Sequence, residues 1–152
     1  MTQRIRRFFL VLVLLWTAAT QAAEPEPMLL TATAQGKTMD EAVAALERAI
    51  VNHNYTFVRQ QSIDSHLVPY TQEVRSVRLV YFCNFAKMDL ALRLDPRAAQ
   101  MLPCRVTLLE TPNGVDLLVV NPLWTAQDMP GLHEECRELK RDYQAILEEA
   151  AL

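Results

Sequence analysis

Glycine is scarce in this chain, with three among 152 residues. There is no Gly-x-Gly-x-x-Gly, no phosphate loop and no Gly-x-Ser-x-Gly elbow, so the sequence signatures of dinucleotide, nucleoside-triphosphate and serine-hydrolase sites are absent. The three cysteines form neither Cys-x-x-Cys nor Cys-x-x-Cys-His, which removes a thioredoxin-like motif and covalent haem attachment. Positive charge is also short: 15 Lys+Arg stand against 18 Asp+Glu, for a net charge of −3. Nucleic-acid binding needs a basic face, and this balance argues against it. Internal repeats and low-complexity runs are missing as well. Beyond the N-terminal segment no apolar run approaches the ~20 residues that a membrane-spanning helix requires.

What is present begins with an export pattern. Arg4, Arg6 and Arg7 form a basic n-region, Phe8 through Trp16 is unbroken apolar sequence, and small residues extend it to Ala19. Thr20-Gln21-Ala22 is a small-x-small cleavage site, followed by the polar break Glu24-Pro25-Glu26-Pro27. This is the three-part secretory signal. The apolar core is too short for an anchor, and no cysteine follows it for lipid attachment. The expectation is a signal peptide over 1–22, a flexible leader over 23–28 and a single domain over 29–152, located in the periplasm or secreted, with no membrane association after cleavage. Losing the three n-region arginines takes the net charge from −3 to −6.

The rest of the chain reads as alternating strands and helices. Met28 to Ala34 is Thr-rich and suits a strand. Thr38-x-x-Glu41 is a capping box, and Met39, Val43, Leu46 and Ile50 follow at helical spacing until Asn52-His53-Asn54. Tyr55 to Ile63 reads as a second strand, with Tyr55, Phe57 and Arg59 on one parity. A polar stretch from Asp64 to Ser76 contains Pro69, which disfavours a central strand. Val77 to Cys83 is β-branched and aromatic. Asn84 then offers an N-cap for a short helix, Phe85 to Leu94, stopped at Asp95-Pro96. Two strands, 105–110 and 115–121, flank the hairpin signal Asn113-Gly114. Pro122 to Gly131 is a connector. Leu132, Cys136, Leu139, Tyr143 and Ile146 share one face of a closing amphipathic helix. The order implies an α+β fold: a mainly antiparallel sheet of about five strands, two main helices on one face, and a short helix after the third strand.

Three of these segments carry a family resemblance. Phe82-Cys83-Asn84-Phe85, Leu94-Asp95-Pro96-Arg97 and Leu102-Pro103-Cys104-Arg105, with Asn121-Pro122 and Tyr143-x-x-Ile146-Leu147-Glu148-Glu149, resemble the domain-of-unknown-function-302 family over residues 30–150. The resemblance implies a fold similar to the TATA-binding-protein-like class and a homodimer. It implies no DNA binding and no activity. Many members have proline where this chain has Phe85.

Cys83 and Cys104 admit several readings. As a disulfide they would close a loop whose entropy is worth ~3 kcal/mol, in a compartment that favours bridges. The strands flanking them would have to lie side by side. As a reactive pair, Cys83 would gain acidity from the helix behind Asn84, and Arg105 would add positive charge beside Cys104. As plain core residues they would act as small hydrophobes. Cys136 is an alternative bridging partner for either. The weak metal candidates are His133 and Cys136, at i, i+3 on the last helix, completed by Cys83 or Cys104. His53 follows the stripe of the first helix to its end, His66 lies in a polar loop with no partner visible, and the adjacent Asp64, Ser65 and His66 do not make a triad, because triad members meet in space. Glu134, Glu135, Glu138, Glu148 and Glu149 read as a solvated helix face.

No catalytic constellation and no cofactor motif appears, so the expectation is a non-enzymatic small-ligand-binding or accessory protein. Cys83, Asn84, Pro103, Cys104 and Arg105 are its candidate binding residues, at a pocket mouth with Phe82. Tyr81 and Trp124 are candidate linings. The partner would be a small molecule or sulfur compound. The alternative is a thiol redox or sulfur-handling protein using Cys83 and Cys104, and the next is a Cys/His metal-binding protein.

Overall fold

Thr38 starts the first helix as the capping box requires. Its backbone N–H donates to the Glu41 carboxylate at 2.9 Å, and its hydroxyl accepts from the Glu41 N–H at 3.4 Å. The helix, α1, runs Met39–Asn52 and buries Met39, Val43, Leu46 and Ile50, with Ala42, Ala45 and Ala49 beside them. It ends where Asn54 takes a left-handed φ of 61°, a conformation that asparagine tolerates better than most residues. The computed structural model describes residues 25–63 and 74–152. The expected signal segment over 1–22, together with Asp64, Ser65, His66 and Pro69, lies outside those residues.

The strands are β1 (Leu29–Gln35), β2 (Thr56–Ser62), β3 (Ser76–Cys83), β4 (Arg105–Thr111) and β5 (Gly114–Val120). They form one antiparallel sheet in the order β1-β5-β4-β3-β2. Between β3 and β4 lie α2 (Phe85–Leu94) and a 3-10 turn over Pro96–Met101. The stretch expected as a plain connector after β5 holds a one-turn helix, α3 (Pro122–Thr125), and a 3-10 turn over Pro130–Leu132. The last helix, α4, is His133–Ala151.

α1 and α4 pack on one face of the sheet. Alternating sheet residues, among them Val80, Phe82, Val106, Leu108, Leu117 and Val119, meet Leu46, Ile50, Leu139, Ile146 and Leu147 from the helices in the main core. Tyr55, Phe82 and Tyr143 form a ring cluster at its centre, with centroids 5.2–6.1 Å apart, a spacing at which edge contacts add to burial. A smaller core of Ala91, Ala98, Ala126, Met129, Leu132 and Cys136 lies under the connecting turns.

Two expectations change. The parity assigned to β2 holds only to Phe57, which pairs with Phe82 on the helix side. A bulge follows, so Arg59 pairs with Tyr81 and lies on the other face. There its guanidinium sits 4.0 Å over the Tyr81 ring. The leader, expected to be loose, is fastened through Glu26 to Met28. The buried Asn121 side chain donates to Glu26 at 2.9 Å and to the Pro27 carbonyl at 2.8 Å, and Lys140 Nζ donates to Glu26 at 2.7 Å. No described helix is long and apolar enough to cross a membrane.

Candidate functional site

The end of β3 and the start of β4 bring Cys83 and Cys104 together. Tyr81 pairs with Arg105, and the Phe82 N–H donates to the Cys104 carbonyl at 3.1 Å. The expectation that these two strands lie side by side is met. Cys83 and Cys104 are 8% and 6% exposed and belong to the main core. The two thiols lie close enough for each to perturb the other, and Tyr143 perturbs Cys104. All three cysteines are free thiols, and no bridge joins Cys83 to Cys104.

Electrostatics reverse the expected acidity. Burial, reinforced by Cys104, pushes the Cys83 thiol up to about 11. Burial raises Cys104 as well, against the Tyr143 hydrogen bond that favours its thiolate. Tyr143 and Tyr55 are both raised, chiefly by burial, and both feel the two cysteines. The Tyr55 hydroxyl donates to Asp142 Oδ2 at 2.7 Å, and Lys87 Nζ donates to the same oxygen at 2.6 Å. A low-dielectric interior disfavours each charged thiolate more than one helix terminus favours it.

Beside this cluster lies a cavity of about 140 Å3. Cys104, Tyr143, Leu139 and Met88 form its inner part. Met101, Leu102 and Pro103 wall one side, across a cis Leu102–Pro103 peptide, and Val119, Val120 and Pro122 wall the other. Gln100, Arg105 and Thr125 also line it, and the exposed Arg105 places it at the mouth. Of the candidate binding residues, Pro103, Cys104 and Arg105 reach this cavity, whereas Cys83 and Asn84 do not. Asn84 is spent on structure: its Oδ1 accepts from the Lys87 N–H at 3.1 Å and its Nδ2 donates to the Asn54 carbonyl at 3.2 Å. Phe85, in the place of the missing proline, opens α2 with its ring 65% exposed. Tyr81 lies beneath Arg59, and Trp124 is not part of the lining.

The pairing of His133 with Cys136 does not form a metal centre. His133 Nε2 is 3.1 Å from the Ala126 carbonyl, and Cys136 is fully buried in the smaller core, remote from the Cys83–Cys104 cluster. Burial also pushes the Cys136 thiol up to about 11. Among the described residues no group of three or more Cys, His, Asp or Glu can hold an ion. Sequence reasoning missed Tyr143 as a member of the site. The available signal was a tyrosine on an apolar helix stripe, because a buried hydroxyl needs a partner.

The sequence matches the family described as "Domain of unknown function DUF302" over residues 30–150. The chain belongs to this family. A solved DUF302 structure, the uncharacterized conserved protein from Bacillus stearothermophilus, superposes with a TM-score of 0.73 at 16% identity, covering 82% of this chain and 99% of that one. At that identity the likeness concerns the fold. No curated protein matches. The cavity and the paired thiols therefore sit within the DUF302 match.

Proposed function

We propose that this DUF302 protein is an exported, non-enzymatic binding protein whose cavity takes one small, mainly apolar ligand with a polar or anionic end toward Arg105. The observation that carries this reading is the cavity of about 140 Å3 at the junction of β4, β5 and α4. An apolar cavity of about 150 Å3 holds a benzene-sized guest, whereas drug-sized ligands occupy about 300–1,000 Å3. The inner lining is apolar apart from the Cys104 thiol and the Tyr143 hydroxyl. The mouth supplies a guanidinium, an amide and a hydroxyl from Arg105, Gln100 and Thr125. Such a set orients a guest without offering a base or nucleophile: both inner groups are raised by burial and stay protonated at neutral pH. Export rests on the arginine-led apolar segment and its cleavage pattern.

The test is a chemical-shift titration of the mature chain with benzoate and, as a neutral probe, benzyl alcohol. Saturable shifts should cluster at residues 100–105, 119–125 and 139–143, and benzoate should bind more tightly. Thr125→Trp, which fills the mouth, should remove them. If neither probe gives saturable shifts in that region, the binding reading fails.

A further inference from the structure

We propose that Cys83 and Cys104 together form a two-coordinate site for a soft monovalent metal ion, with Cu(I) as the ion that the donor set suits. The geometry is that of two cysteines delivered from adjoining strand ends into the same core, where the Phe82 N–H donates to the Cys104 carbonyl, each nearly sealed from solvent at 8% and 6% exposure. Thiolate sulfur selects soft ions, Cu(I) and zinc among them. Zinc takes four ligands in its structural sites, and among the described residues no third Cys, His, Asp or Glu joins this pair. Two sulfurs alone suit an ion that accepts two ligands in line.

The surroundings fit an ion held as a bis-thiolate. Two thiols and one Cu(I) give one bis-thiolate complex and two protons, and no electron is transferred. The complex carries one negative charge, which a buried site must offset with donors. Tyr143 lines the cavity beside Cys104 and supplies a hydroxyl there. Tyr55 feels both sulfurs and anchors the Lys87–Asp142 pair. A metal binds cysteine as thiolate, so binding expels protons and should weaken as pH falls. The cavity reaches Cys104 from outside, which gives an ion or its carrier a path to one sulfur first.

Cys104 and Tyr143 belong to both sites, whereas Cys83 does not line the cavity, so Cys83→Ser separates this proposal from the small-ligand reading. The experiment is an anaerobic titration of mature, reduced protein with Cu(I) against a bicinchoninate competitor. Stoichiometry is read by absorbance, coordination by X-ray absorption, and proton release by a pH indicator. The expected result is one ion per chain, two sulfur scatterers and about two protons released per ion. Cys83→Ser and Cys104→Ser should each lose the ion, and Cys136→Ser should keep it. Tyr143→Phe should weaken binding about 10–100-fold, as removal of a supporting donor does. Thermal melts and benzoate titration of Cys83→Ser show whether that variant is folded and its cavity intact. The proposal is overturned if folded wild-type protein retains no Cu(I), or if Cys83→Ser retains it equally. It is also overturned if Zn(II) binds as tightly, or if the isolated protein carries a Cys83–Cys104 bridge that mild reductant leaves closed.

Discussion

Cys83 immediately precedes Asn84, the N-cap of α2, and two forces act on it in opposite directions. The helix terminus favours a thiolate by up to ~2 kcal/mol in a partly buried setting. Desolvation acts the other way and can move a fully buried group by about 3–5 pKa units. Here burial dominates and the thiol is pushed up to about 11. Iodoacetamide should therefore modify Cys83 in the folded, metal-free protein far more slowly than a free cysteine at pH 8. The rate should climb as pH approaches 11, where the thiolate fraction becomes substantial. A fast reaction at pH 8, followed by peptide mass mapping, would show instead an acidic, accessible thiol. The sequence discloses the cap and the adjacency of the two cysteines. It does not disclose the depth, because depth comes from Tyr143 and Leu139 on a helix that arrives much later in the chain.

Helix and strand limits follow local rules where local chemistry decides them. The capping box starts α1, Asn84 starts α2, Asp95-Pro96 stops it, and Asn113-Gly114 turns the β4–β5 hairpin. β2 escapes those rules, because a bulge is settled by pairing with β3 and leaves no mark on the alternation of Tyr55, Phe57 and Arg59. Gly114 belongs to the same level. Its φ is 138°, and an added Cβ would fall 2.2 Å from the Ala34 carbonyl oxygen and 2.9 Å from the Gly36 nitrogen, both backbone atoms that cannot swing aside. Gly114→Ala should cost at least about 2 kcal/mol, read as a lower urea midpoint with an unchanged slope. Near-wild-type stability would mean that the β1–β5 edge can shift to admit the methyl group. The one-turn helix α3 leaves no periodicity in its four residues, although Asn121 Oδ1 caps it by accepting from the Leu123 N–H at 3.0 Å.

Across the whole molecule, Asn121, Glu26 and Lys140 tie the leader, the end of β5 and the last helix into one clasp. The Lys140 and Asn121 hydrogen bonds hold the Glu26 carboxyl below its ordinary value of 4.5. A depressed carboxyl contributes stability that is present above about pH 4.5 and is lost as pH falls through the lower folded value. The Glu26 side chain is 39% exposed, so solvent screening limits the effect to at most about 1 kcal/mol. Glu26→Gln should leave a melting temperature that falls less steeply than wild type between pH 4.5 and pH 3, with a small loss at neutral pH. Identical pH profiles for the two proteins would remove Glu26 from the clasp's energetics. The sheet order has a consequence in time as well as in space. Among the described residues β1 lies at an edge and β5 is its one neighbour in the sheet: Leu30 meets Val119, and Thr31 meets Leu118. While the chain is still emerging from a ribosome, the first strand has nothing to pair with until most of the domain has followed. It therefore joins the sheet late although it is made early, after β2, β3 and β4, whose neighbours follow one another along the chain, have been able to pair.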